Sequence, residues 1–214
     1  MLSANSWSDS FRRSGTTIPE GPAFYFDLAS PYAYLASTRV DALLGPEVIW
    51  RPILVGALHK HYRRLSWGAT PELRAAGIAE IERRAREYVL PPIRWPSPYP
   101  ANSLTVMRAA IWADNQGHLR RFARAAYAMA FREGIDLTAR TAVLQAAERA
   151  ALDASALDRA LENQSVKRAL REANEDAIAA GVYGVPTFEA GGLLWWGDHQ
   201  LPAAAAALHG SSNS

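Results

Sequence analysis

The sequence predicts an α/β fold in which one sheet is assembled from the two ends of the chain, with a large all-helical segment inserted between them. Three observations carry that prediction. The chain opens in strand–helix–strand order, in FYFDLASPYAYLA (24–36) and VIWRPILV (48–55). Strand signals are then missing for more than 100 residues, and they return only in TFEAGGLLWW (187–196). A front βαβ unit and a rear ββα unit need each other to complete one sheet.

The first strand is expected over 23–28, where large side chains alternate with small or charged ones. Ser30-Pro31 then has the form of a helix N-cap followed by proline at the first helical position. The helix predicted over 32–44 ends at Gly45-Pro46. The second strand, 48–55, follows after so short a turn that the pair is predicted parallel, with a right-handed crossover.

Helices are predicted over 71–88, 103–115, 117–133, 138–150, 155–163 and 165–180. Their breaks are equally plain: PPIRWPSPYP (91–100) cannot continue a helix, Gly134 follows Glu133, and Asp153 offers a cap. At the end, strands 187–190 and 193–196 flank Gly191-Gly192, a tight hairpin connection, and 200–208 forms a closing helix. The expected organisation is a flexible segment 1–22, an α/β domain from 23–56 and 181–209, a helical insertion 57–180 and a flexible tail 210–214.

Composition narrows the function. There are 23 Lys plus Arg against 21 Asp plus Glu, too even a balance for a nucleic-acid binder. No cysteine is present, which excludes disulfides, thiolate ligands and a cysteine nucleophile. No signal-like apolar core opens the chain and no uncharged apolar stretch approaches about 18 residues, so a cytoplasmic location with no membrane partner is expected. His59 and His61 lack the companions of a metal site, and none is expected. Between Arg51 and Arg94 nine Lys or Arg stand against four Glu, an excess that either steers an anionic substrate or coats a helical surface.

FYFDLASPYAYLA, RPILVGALHK (51–60), RWPSPYPANSLTVMRA (94–109) and GVYGVPTFEAGGLLWWG (181–197), in that order, resemble the 2-hydroxychromene-2-carboxylate isomerases and kappa-class glutathione transferases. More distantly they resemble the disulfide oxidoreductases of the DsbA type. The resemblance implies a thioredoxin-like domain carrying the helical insertion, with glutathione as cofactor at their junction. On its residues alone Ser30 is a helix cap. The resemblance makes it the catalytic serine, whose hydroxyl stabilises the glutathione thiolate with help from the helix N-terminus. Pro186 reads alone as an edge or turn proline. The resemblance implies that it is cis and that the Val185 backbone pairs with the glutathione peptide.

Lys60 is either a surface cation or the partner of a glutathione carboxylate, and Asn102 either caps the helix after it or joins the cofactor site. After Gly197 the family carries a polar residue, then Asp and Arg, whereas this chain reads Asp198-His199-Gln200. Asp198, one position early, is the candidate for the γ-glutamyl ammonium. His199 is a general acid or base near neutral pH, or an exposed loop residue. Trp67, Trp95, Trp195 and Trp196 are candidates for an aromatic pocket or for core packing.

The activity implied is glutathione-dependent isomerisation of a small aromatic or unsaturated carboxylate, in a homodimer whose interface the composition does not reveal. The alternatives are a kappa-like glutathione transferase and a noncatalytic thioredoxin-like binding protein.

Overall fold

The structure, a computed structural model, describes residues 21–210, with side chains through Leu208. The expected flexible segment 1–22 lies outside the described residues except for Gly21 and Pro22, and the tail 210–214 except for Gly210. Pro22 is already tied to the sheet, its carbonyl accepting the Ile49 N–H at 2.8 Å.

Strand β1 (Ala23–Phe26) is buried along its whole length because both of its faces are covered. Phe24 stacks on Phe188 with ring centroids 5.6 Å apart and meets Trp50 edge-on at 5.0 Å. Ala23 and Tyr25 face the other way and pack with Ile53, Leu58, Ala177, Val182 and Val185. β1 pairs in parallel with β2 (Ile49–Pro52) and antiparallel with β3 (Thr187–Ala190), which pairs antiparallel with β4 (Leu193–Trp196). The sheet order is therefore β2-β1-β3-β4, built from both ends of the chain. Gly191 and Gly192 turn the hairpin with φ of +59° and +73°, values glycine adopts without strain.

Between the halves run the helices. In chain order they are α1 (Pro31–Ser37), α2 (Val40–Leu44), α3 (Val55–His61), α4 (Pro71–Glu87), α5 (Leu104–Asn115), α6 (Leu119–Arg132), α7 (Arg140–Arg149), α8 (Ala154–Ala160) and α9 (Gln164–Ala179). A 3-10 turn (Asp198–Gln200) and α10 (Leu201–Gly210) close the chain. Thr70 and Asp153 cap α4 and α8 through side-chain oxygens, at the breaks expected from sequence. One apolar core runs from Phe24, Phe26 and Phe188 through Tyr34 of α1 into Tyr127 and Phe131 of α6. The fold is thioredoxin-like with a large helical insertion, and sheet and insertion share that core.

Two predicted elements differ. The single helix 32–44 is two helices, because the Ser37 and Thr38 hydroxyls bond back to the Tyr34 and Leu35 carbonyls at 2.7 and 2.8 Å and end α1. The strand 48–55 stops at Pro52, and α3 begins at Val55 where no helix was expected. Leu54 offers no cap of its own, so distant groups take the exposed donors. Asn174 Oδ1 accepts the Leu54 N–H at 2.7 Å, and Asp27 Oδ2 accepts the Val55 N–H at 2.9 Å.

Asp27 is fully buried. Its Oδ1 accepts the Ala29 N–H at 2.8 Å, and its Oδ2 also accepts the Ser103 hydroxyl at 2.8 Å. Burial pushes its carboxyl pKa above the ordinary value, while the three donated hydrogen bonds pull the other way without prevailing. Asp27→Ala leaves three donors unmet, the hydroxyl of the buried Ser103 among them, and is expected to cost about 3 kcal/mol or more, read by urea denaturation. Because the folded-state pKa is raised, the Asp27 contribution is fully present below 3.8 and is lost as pH rises through the folded value. The stability advantage of the wild type over Asp27→Asn should therefore shrink as pH climbs from about 4; an advantage that is flat or growing over that range contradicts the assignment.

Candidate ligand site at the Ser30 loop

Ser30 stands where β1 hands over to α1. Its backbone is extended (φ −89°, ψ 114°), and its Oγ accepts the Ala33 N–H at 3.2 Å, so it is the N-cap of α1 with Pro31 behind it. The cap uses an oxygen lone pair. The hydroxyl proton remains a donor, on a residue only 9% exposed.

The Val185–Pro186 peptide bond is cis. Tyr25 lies opposite Thr187, so the start of β3, just after the cis bond, is level with the end of β1 that leads into this loop. The cis bond thus lies beside the Asp27–Ser30 loop. The Pro186 carbonyl accepts the Gly197 N–H at 2.9 Å. Among the described residues no protein group pairs with the Val185 N–H or C=O, although Val185 is buried. Buried backbone groups seldom stay unpaired, so this segment is an open edge for a ligand with peptide character.

An aromatic wall rises on the helical side. The Tyr99 hydroxyl donates to the Ala29 carbonyl at 3.2 Å, with Trp95 and Trp67 at ring distances of 5.0 and 5.8 Å from it. Tyr32, two residues beyond Ser30, meets Trp67 edge-on at 6.0 Å. Burial pushes the Tyr32 hydroxyl up and the Tyr99 hydroxyl further. Trp67 lies against α4 at Gly77, where a Cβ would stand 2.3 Å from the indole. Trp196 belongs to a separate group with Tyr183, and the Trp195 indole N–H donates to the Ala190 carbonyl at 3.2 Å.

Arg84 of α4 joins the wall to the end of the sheet. Its guanidinium lies 5.5 Å from the Tyr32 ring centroid, Nη1 donates to Asp198 Oδ1 at 2.6 Å and Nε to Glu80 at 2.7 Å. The Tyr88 hydroxyl takes the other Asp198 oxygen at 2.9 Å. Asp198 is fully buried with both oxygens engaged, while His199 is exposed, its Nδ1 3.3 Å from Arg84 Nη1. Hydrogen bonds from Arg83 and Arg84 pull the Glu80 carboxyl down to about 2.

The structure therefore gathers Ser30, Val185 and Pro186 at one end of the sheet and links Asp198 and His199 to them through Arg84 and Tyr32. Asn102 is exposed at the start of α5, its Oδ1 accepting the Leu104 N–H at 2.9 Å, and it lines a small cavity with Leu28, Ala29 and Tyr99, beside Ser103, whose hydroxyl donates to Asp27. Lys60 is exposed in the last turn of α3, with no ion pair among the described residues. Sequence reasoning missed Asp27, Tyr32, Arg84 and Tyr99. A lone acid inside the apolar run FYFDL is a signal for the first, and nothing local marks the others. Among the described residues there is no metal-binding group of three or more His, Cys, Asp or Glu, and no helix long and apolar enough to cross a membrane.

A four-stranded sheet with a cis-proline beside the N-terminus of its first helix, interrupted by a helical insertion, defines a thioredoxin-fold protein of the inserted kind. Residues 23–209 match the DSBA-like thioredoxin domain, and the chain belongs to that family. It is 28% identical over 184 residues to the 2-hydroxychromene-2-carboxylate isomerase of Sphingobium xenophagum, covering 83% of this chain and 92% of that protein. A solved 2-hydroxychromene-2-carboxylate isomerase superposes with a TM-score of 0.79 at 21% identity, over 90% of this chain and 96% of the other. The cytosolic disulfide reductase DsbM of Pseudomonas aeruginosa, solved with GSH, gives 0.58 at 16% identity, over 90% and 98%. At such identities the two solved structures show the fold alone.

Gly77 yields a prediction of unusual sign. Replacing a helical glycine with alanine ordinarily stabilises by about 1 kcal/mol. Here Gly77→Ala must displace Trp67 and is expected to destabilise by roughly 1–3 kcal/mol, with altered near-ultraviolet circular dichroism from the aromatic wall. A gain in stability with an unchanged spectrum contradicts the packing described.

Proposed function

We propose that the protein is a glutathione-dependent isomerase of a small aromatic or unsaturated carboxylate, working at the Ser30 loop. The observation that carries this reading is the pairing of a buried serine whose proton is free to donate with an unpaired Val185 backbone at a cis-proline. The first suits a thiolate and the second an extended peptide, and glutathione has both. The similarity to 2-hydroxychromene-2-carboxylate isomerases supports the reaction class.

Glutathione, when bound, supplies a thiolate whose reversible addition to a conjugated double bond permits rotation and leaves glutathione unchanged. The chain's own residues do the rest. Ser30 donates its hydroxyl proton toward the sulfur, lowering the energy of the thiolate form. The Val185 backbone and Pro186 align the tripeptide beside it, and Lys60 takes a carboxylate. The wall of Tyr32, Trp67 and Tyr99 excludes water and presents apolar surface to an aromatic substrate. His199 offers an exposed imidazole for the γ-glutamyl end. For Asp198 to receive the γ-glutamyl ammonium, its bond to Arg84 has to give way, so this contact forms at the expense of an existing ion pair.

The direct test supplies glutathione and 2-hydroxychromene-2-carboxylate. Rearranged substrate with total glutathione unchanged supports the reading, accumulation of a thioether makes the protein a kappa-like transferase, and binding without any product makes it a noncatalytic binder. Within an active protein, Ser30→Ala should raise the pKa of bound thiol and lower turnover by an amount equivalent to roughly 2–4 kcal/mol. The lost cap separately costs about 1 kcal/mol of stability. Titration of the thiol absorbance at saturating glutathione, on folded protein, separates the two. An unchanged thiol pKa with unchanged turnover leaves Ser30 a helix cap only.

A further inference from the structure

Close to Val185 and the cis-proline lies a cation that the mechanism above does not use. Arg64 follows α3. Its guanidinium stands 4.1 Å from the Tyr183 ring centroid and 5.2 Å from that of Trp196, and its Nη2 donates to the Tyr183 carbonyl at 2.8 Å. Tyr183 and Trp196 meet edge-to-face at 4.9 Å, and both are solvent-facing, 41% and 47% exposed. Arg64 and Trp196 converge over Gly184, where a Cβ would meet Arg64 Nη2 at 2.6 Å and Trp196 Nε1 at 2.8 Å. Only the absence of a side chain at 184 allows that convergence, and the next residue is Val185.

The guanidinium is unneutralised. No carboxylate pairs with it among the described residues, and its Nε is buried with no hydrogen-bond partner. The chain has no Asp or Glu from Val48 to Pro71, a stretch containing Arg51, Lys60, Arg63 and Arg64. Burial, with help from Arg64, pushes the nearby His59 down and favours its neutral form. An oriented arginine without an anion, held beneath an exposed tryptophan and next to an open backbone edge, has the chemistry of a carboxylate clamp with an aromatic shelf.

We propose that Arg64 binds a ligand carboxylate, with Trp196 covering the apolar part of the same ligand. The shared chemistry has two sources, an aromatic acid or the glycyl carboxylate of glutathione. The proposal rests on the functional reading only for the second.

The test is equilibrium binding followed by tryptophan fluorescence or calorimetry, independent of turnover. The probes are salicylate against salicylamide, and glutathione against its glycyl ethyl ester. Removing the charge from the ligand is expected to weaken binding to the wild type at least tenfold for one pair, and that pair names the source. Arg64→Gln should weaken the charged member of that pair to the level of its neutral analogue while leaving the analogue unchanged. Arg64→Lys should recover only part of the loss, because the planar fork is gone. Should Arg64→Gln fail to fold, Arg64→Lys decides, since a charged probe held as tightly by it as by the wild type overturns the proposal. Equal affinity for charged and neutral members in both pairs, or a folded Arg64→Gln that binds all four as the wild type does, overturns the proposal. A protein that binds salicylate through Arg64 yet ignores glutathione keeps this inference while removing the isomerase reading.

Discussion

One buried carboxylate holds the site together. Asp27 stands three residues before Ser30 and joins segments that are far apart in the chain: the loop at Ala29, the start of α3 at Val55 and the hydroxyl of Ser103 at the head of α5. Each bond satisfies a donor that would otherwise be buried and unmet, so the three are mutually dependent. Tyr127 adds a hydrogen bond to the Asp27 carbonyl at 3.1 Å, fixing the main chain as well as the side chain. The position of Ser30 relative to the helical insertion follows from this knot. Burying an acid without a cation is costly, and the rise in its pKa expresses that cost, set against the placing of the Ser30 loop between two parts of the fold.

A second tie runs across the top of the site and has a different physical character. Arg84, Asp198 and Tyr88 form a largely enclosed network, and the Asp198 side chain is only 1% exposed. Glu80, which also holds Arg84, is far more exposed, so its depressed pKa reflects hydrogen bonds at the surface and says little about stability. The enclosed pair matters more for geometry. It connects α4 to the turn after β4 and brings the Arg84 guanidinium over the Tyr32 ring, so the aromatic wall and the end of the sheet are positioned by one side chain.

Local signals were legible in the sequence, and long-range ones were not. The β3–β4 hairpin was readable to the residue because two glycines in a tight turn determine it. Helix α8 announced itself through its cap Asp153, and α4 begins at Pro71, where a helix was expected. Helix α3 was invisible, since the groups that satisfy its first donors, Asp27 and Asn174, come from elsewhere in the chain and Leu54 has no capping side chain. The break between α1 and α2 was written in Ser37-Thr38, but two hydroxyls bonding backward look no different in sequence from two that face solvent. The serine and the proline of the candidate site stood out because each sits at a junction with its own backbone rule. Arg84 and Arg64 did not, because one arginine among many on helical segments carries no mark of what it will touch.

The departure at Asp198-His199-Gln200 acquires physical meaning from these contacts. An acid at the first position of the 3-10 turn is directed inward, where it meets Arg84 and Tyr88, and the residue after it is left facing solvent as an imidazole. The acid at this position is thus a buried brace, held by Arg84 and Tyr88. The two ends of this region differ in countercharge. Arg84 is balanced by Glu80 and Asp198, while among the described residues Arg64 and Lys60 have no carboxylate to balance them. Negative charge is drawn to a cation of the second kind rather than the first, because Coulomb attraction is strongest where countercharge is lacking and solvent is partly excluded.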